Sequence, residues 1–273
     1  MIGRFLRPRA PRIVALLAVR NEQDCLARCL RHLVDQGLQV AVIDNESTDR
    51  TPEIIRSLDP DNLVRHEVHP FPGHYDWEAI LRRKQELAAE LDADWFVHVD
   101  ADEIPESPFP GLTLAEALQH VEREGANAVN FNEFVFVPTS DEEAWEGRDY
   151  VAGMAWYYFF EPRPLRLVRA WKKGADPVDI AGSGGHDAQF PGRVIAPTPF
   201  VLRHYLTLSR RHLIEKYGSR VFSSHELEKG WHHNRVGIET TTVPWPSSAE
   251  LHHVDGTWNT SQPRTRHFFE STP

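Results

Sequence analysis

The chain is short of cysteine, of basic runs and of long apolar runs, and each shortage removes a class of protein. Only two of its 273 residues are cysteine, Cys25 and Cys29. They stand four apart where the spacing predicts a helix, and Cys29 shares an apolar face with Leu26, Leu30 and Leu33. That spacing does not suit a disulfide inside a regular helix, and two thiols alone make a poor zinc site. The pair therefore reads as core residues of a reduced, cytosolic protein. No apolar run approaches the ~20 residues that span a bilayer. The formal net charge is −10 and no long Lys/Arg run occurs, so no partner nucleic acid is expected, although a local anion pocket stays open. Met1–Arg12 carries Arg4, Arg7, Arg9 and Arg12 without an apolar h-region. It reads as a basic tail rather than a secretory signal, and it allows peripheral contact with the inner face of a membrane. Internal repeats and low-complexity linkers are missing as well.

What is present has the balance of a soluble globular protein, at 41% hydrophobic and 26% charged residues. Ile13–Val19 is a continuous apolar run, the mark of a strand buried on both faces. A helix follows, with Leu26, Cys29, Leu30, Leu33 and Val34 at helical spacing and Gly37 where a C-terminal cap belongs. Leu38–Ile43 is the second strand, and Thr51-Pro52 opens the next helix. Leu63–Val68 reads as a third strand, Asp76–Leu91 as a helix, and Trp95–Val99 as a fourth strand. This β-α-β-α-β-α-β order implies a mostly parallel sheet with right-handed crossovers. Thr113-Leu114-Ala115-Glu116 is a capping box, and Ala128–Val137 a longer strand. Past Pro138, tryptophans, tyrosines and phenylalanines crowd together. Gly182–Asp187 reads as a loop, Val194–Tyr205 carries a strand, and Ser209 starts a helix through Tyr217. Irregular structure is expected beyond Gly230.

Three strand ends carry polar groups: Arg20-Asn21-Glu22, Asp44-Asn45, and Asp100-Ala101-Asp102-Glu103. In a parallel sheet these ends lie along one edge, where open α/β sheets bind ligands. Two aspartates one residue apart on a rigid strand can grip a hard divalent cation and share it with a phosphate. A single acid after a strand is an ordinary loop residue; three converging clusters point to a site.

These segments together resemble the family 2-like glycosyltransferases of the GT-A fold, in a bacterial branch. The resemblance rests on Val14–Glu22, on Val42–Asp49 and on Val97–Glu103, in that order and spacing. Gly184–Asp187, Leu202–Tyr205 and Lys229–His232 add to it. It implies a single α/β domain over 1–273, a nucleotide-diphospho-sugar transferase fold with a mostly parallel central sheet flanked by helices. Residues 12–105 would bind the nucleotide sugar, 106–240 would form the acceptor-binding and catalytic half, and 241–273 an irregular tail. The implied reaction is metal-dependent and inverting. It moves a sugar from a nucleoside diphosphate sugar to a glycan or glycolipid acceptor, in polysaccharide biosynthesis.

The resemblance also assigns roles. Asp44 would bond the nucleobase; a carboxylate accepts the imide N–H of a pyrimidine. Its alternative is a turn cap in the following loop. The family commonly has a second acid where this chain has Asn45. Arg20, Asn21 and Glu22 would line the nucleotide. Asp102 would ligate Mn2+ or Mg2+, with Asp100 on the ribose or a metal-bound water. His204 would be a further ligand, and a nitrogen donor tilts the choice toward Mn2+; His186 and His232 compete for that place. Asp187 would be the base, because its Gly-rich approach lets backbone come close to a sugar, with Glu133 and Glu103 as alternatives. Arg83 and Lys84 would sit near the phosphates or on a solvated helix face, and Arg203, Arg210 and Arg211 could play the same part. Trp156, Trp231 and Trp145 are candidate sugar stackers. One rival is a sugar nucleotidyltransferase, which needs a Gly-rich loop after the first strand; Val19–Asp24 has no glycine. The other is an inactive nucleotide-sugar or glycan-binding module.

Overall fold

The computed structural model describes residues 11–163, 165–218, 220–231 and 235–270. Strand β1 (Ile13–Val19) explains why its sequence is apolar throughout. Ala15 and Leu17 point into one core and Val14 and Leu16 into another, all nearly inaccessible to water. Its parallel neighbours are β2 (Gln39–Asp44) and β4 (Trp95–His98), and β3 (Leu63–Val68) extends the parallel row beyond β2. Helix α1 (Leu26–Asp35) buries Leu26, Cys29, Leu30 and Leu33 on one face of this row. Helix α3 (Trp77–Glu90), which follows the short α2 (Thr51–Arg56), buries Trp77, Ile80, Leu81, Leu87 and Ala88 on the other. Such two-sided cover is what an all-parallel row requires.

Beyond β4 the sheet changes direction. The extended hairpin partners are β6 (Ala128–Phe136), β7 (Trp156–Phe160) and β8 (Val168–Lys172). Strand β8 is antiparallel to both β4 and β6, and β7 is antiparallel to β6. The aromatic crowd past Pro138 is thus largely strand: Tyr157 and Phe159 face one core, Tyr158 and Phe160 another. A short β5 (Glu103–Glu106) pairs antiparallel with β9 (Phe200–His204), which runs parallel to β6. Glu103 therefore starts a strand rather than ending a loop. Helix α4 (Leu114–Arg123) opens on the capping box expected at Thr113 and Glu116. The fold class read from the sequence is the one observed, with the antiparallel strands added on one side.

The helix expected from Ser209 to Tyr217 is α5 (Arg210–Leu213), running on into a π-helical turn, Ile214–Gly218. Past Gly230 the chain is less irregular than expected. A two-residue strand, His252–His253, pairs with β7, and Leu251 and Phe269 are buried in a third apolar cluster with Val135, Tyr158 and Tyr217. No helix among the described residues is long and apolar enough to cross a membrane. Arg4, Arg7, Arg9 and His232 lie outside the described residues.

Candidate functional site

The C-terminal ends of β1, β2 and β4 open into a cleft of about 600 Å³. Arg20, Asn21, Glu22, Asn45, Asp100, Ala101, Asp102 and His204 line it, as the convergence of strand ends required. A second hollow of about 550 Å³ adjoins it at the end of β2, lined by Asp44, Ser47, Thr48 and His66. Arg20 and Phe71 border both. The first two strand ends are laced together. Asn21 takes a left-handed backbone (φ 55°), which asparagine tolerates, and its Oδ1 accepts the Thr48 amide at 2.8 Å. Its own amide donates to Ser47 Oγ. Arg20 Nη1 donates to the carbonyls of Asn45 and Glu46, and its guanidinium lies 3.4 Å from the Phe71 ring centroid. Asn45 donates to the carbonyls of His69 and Pro70, which holds the loop after β3 against the site. Asp44 caps the turn after β2, accepting the Ser47 amide at 2.9 Å on one carboxylate oxygen.

Five charged side chains alternate in sign, and three of them, His204, Asp102 and Lys216, line the cleft. Arg166 donates to Glu133 at 2.8 Å, and Glu133 meets His204 Nδ1 at 2.6 Å. His204 Nε2 meets Asp102 Oδ2 at 3.1 Å, and Lys216 Nζ donates to the same oxygen at 2.6 Å. The register explains the meeting, because β9 carries His204 between β5, which begins beside Asp102, and β6, which carries Glu133. Burial alone would raise the Asp102 carboxyl, but the charges of Lys216 and His204 overcome it and hold it well below the usual range. Burial likewise opposes the charge on Glu133, yet Arg166 and His204 bring it down to about 2. His204 is held well above the ordinary imidazole range by Asp102 and Glu133, against its burial. Glu22, mainly through burial, is pushed up to about 7.

Asp100 faces a different set of groups. Arg169 Nη1 is 3.5 Å away, His98 Nε2 3.8 Å and Lys84 Nζ 4.0 Å. Lys84 is fully buried beneath it with no hydrogen-bond partner for its ammonium among the described residues, and burial lowers it to about 8. Lys84 thus lies under the acid cluster, whereas Arg83 turns outward into a carboxylate cage of Glu67, Glu86 and Glu90. Arg83 is on the solvated helix face, away from the cleft.

Several other expected residues also lie elsewhere. Asp187 does not line the cleft; its carboxylate is paired with Arg193 and accepts from Gln189. Gly185 before it serves core packing, since a Cβ there would come within 3.2 Å of both His98 and Leu81. Glu103 is buried in a pair with Arg169 at 2.6 Å and accepts the Asp100 amide, and Glu133 belongs to the charge ladder. None of the three nominated bases opens into the cleft. His186 does not line the cleft, and its carbonyl accepts the Val168 amide. Arg203 pairs with Glu106, Arg210 with Asp141, and Arg211 with Glu146 and Glu215. Trp145, Trp156 and Trp231 pack against the cores; the aromatic walls of the cleft are Phe71, Tyr75, Trp77 and Tyr217. Sequence reasoning missed Lys216, Arg220 and Arg235, which form the cationic wall. Nothing in their local pattern distinguishes them from ordinary basic residues.

As placed, these side chains do not fit a divalent ion. Imidazolium offers hydrogens on both nitrogens and no lone pair, and His204 spends both on carboxylates. Asp102 is already met by an ammonium, and Asp100 faces Lys84, His98 and Arg169 instead. Among the described residues no three His, Cys, Asp or Glu groups gather closely enough to hold a metal.

A family model described as Glycosyl transferase family 2 matches residues 15–172. Among curated proteins, a TPR repeat-containing protein of Synechococcus elongatus is 33% identical over 101 residues, 36% of this chain and 22% of that protein. The chain thus spans about a fifth of that relative's length. Among solved structures, S. aureus TarS 1-349 in complex with UDP aligns with a TM-score of 0.44 at 10% identity, over 72% of this chain and 61% of that one. Glucosyl-3-phosphoglycerate synthase from Mycobacterium tuberculosis, in complex with Mn2+, UDP and glucosyl-3-phosphoglycerate, aligns with a TM-score of 0.31 at 19% identity, over 46% and 44% of the two chains.

Proposed function

Since the chain belongs to glycosyl transferase family 2, we propose that it is a nucleotide-sugar glycosyltransferase of the GT-A fold whose donor carries a pyrimidine base and whose acceptor is a hydroxyl of a glycan or glycolipid. The observation that carries this reading is the pair of joined cavities at one sheet edge. The base enters the hollow at the end of β2, against Phe71, with Asp44 accepting its imide N–H; one Asp44 oxygen caps the turn and the other is available. The ribose lies toward Asp100, and the diphosphate and sugar occupy the larger cleft.

The transfer is a single displacement with inversion. The acceptor oxygen attacks the anomeric carbon from the face opposite the diphosphate, and the bond from that carbon to the phosphate oxygen breaks. Its electron pair leaves with the nucleoside diphosphate, and the hydroxyl proton passes to a carboxylate. Asp187, Glu133 and Glu103 are each tied to an arginine. The acids that line the cleft are Glu22, Asp24, Asp49, Asp100, Asp102 and Glu215. The Mn2+ or Mg2+ expected from the sequence would reach Asp102 only after Lys216 withdraws.

Thermal shift with UDP, CDP, ADP and GDP tests the donor. A pyrimidine diphosphate is expected to stabilise the protein by about 2.7 kcal/mol at a hundred times its Kd. Asp44→Ala should weaken that binding by roughly tenfold, the loss of one charged hydrogen bond. No response to any of the four nucleotides would overturn the reading.

A further inference from the structure

The cleft is lined by charges of both signs. Glu22, Asp100 and Asp102 come from the strand ends together with Arg20, and Lys216, Arg220 and Arg235 come from the segment after β9 together with Glu215. Lys216 sits on the π-helical turn Ile214–Gly218, a geometry that recurs at functional sites because it re-aims a side chain out of helical register. Its ammonium is nearly buried, 2.6 Å from Asp102 and 4.0 Å from Glu22. The two arginines are held by aromatic rings rather than by acids. Arg220 lies 4.7 Å from the Tyr75 centroid and 5.7 Å from that of Tyr217, and Arg235 5.9 Å from Tyr217. Neither guanidinium forms an ion pair or hydrogen bond among the described residues. Stacking fixes their position while leaving their N–H donors to a ligand.

We propose that Lys216 is the resident cation of the donor site. It rests on Asp102 when no donor is bound, and together with Arg220 and Arg235 it takes the donor's diphosphate, so that a nucleoside diphosphate binds without a divalent ion. This rests on the nucleotide-sugar reading above. A lysine buried beside acids can exchange a carboxylate for a phosphate without ever being left unpaired, which is the expensive state. Three fixed cations on one wall supply the charge that a diphosphate leaving group develops. A divalent ion at Asp102 would have to displace the ammonium and the His204 proton, so ion and lysine compete for one place.

Calorimetric titration of UDP into the full chain tests this, in EDTA and again in Mn2+. Wild type should bind UDP with the same affinity, within about threefold, in both. Lys216→Met should weaken binding in EDTA by about tenfold or more, Lys216→Arg should largely restore it, and Mn2+ should recover affinity in Lys216→Met alone. Arg220→Ala with Arg235→Ala removes no buried partner, so this pair reads the same wall if Lys216→Met fails to fold. UDP bound by wild type only with Mn2+, or bound in EDTA equally well by wild type and both sets of variants, overturns the role of Lys216. No UDP binding by wild type under either condition overturns the donor reading itself.

Discussion

Arg166, Glu133, His204, Asp102 and Lys216 form one ladder of alternating charge, and each inner member is satisfied by two opposite neighbours. Removing one leaves a buried charge without its partner, which costs roughly 3–5 kcal/mol. The two directions of titration follow from this. Glu133 is lowered from 4.5 to about 2, so its contribution to stability is complete above pH 4.5 and is lost as pH falls toward 2. His204 is raised well above 6.5, so its contribution is complete below that pH and is lost as pH rises through the raised value. In Glu133→Gln the melting temperature should therefore fall less steeply between pH 4.5 and 2 than in wild type. Parallel slopes in thermal melts across that range would contradict the ladder. The individual acids were legible from the sequence because they follow apolar runs. Their pairing was not. Nothing local to Asp102 says that Lys216, more than a hundred residues away, stands on it.

At the scale of elements, the parallel row was the most readable part, since strands covered on both faces must be apolar throughout. Helix α4 was readable from its cap. Thr113→Ala removes the hydroxyl that accepts the Glu116 amide and should lower stability by about 1 kcal/mol, measured by urea unfolding at constant m. The short β5 was not readable. Its Glu103 looks like a third loop acid, and only the pairing of β5 with β9 buries it against Arg169. The nominated base Asp187 has the same history. A Gly-rich loop suggests close approach to a ligand, but here it brings backbone against His98 and Leu81, leaving Asp187 to Arg193. The π-helical turn was read as plain helix, because a one-residue widening leaves no mark on apolar spacing.

At the scale of the whole molecule, the segment beyond Gly230 closes the third apolar cluster against β6 and β7. Phe269 is buried there beside Tyr217, whose neighbour Lys216 reaches into the cleft. Phe269→Ala should cost roughly 3 kcal/mol in unfolding free energy, as deletion of a buried aromatic does. It should also weaken UDP binding, because the wall carrying Lys216 and Arg220 loses its backing. Unchanged UDP affinity in a folded Phe269→Ala would show that the tail supports the core alone. By itself the sequence determined the family, the parallel half of the sheet and the edge along which its polar groups converge, since burial pattern and strand order are local properties of the chain. Only the tertiary structure decided which of those groups meet, because opposite charges in the loop after β4, on β6, on β9 and on the turn after α5 are brought within bonding distance by register and packing, and neither is written in any one segment.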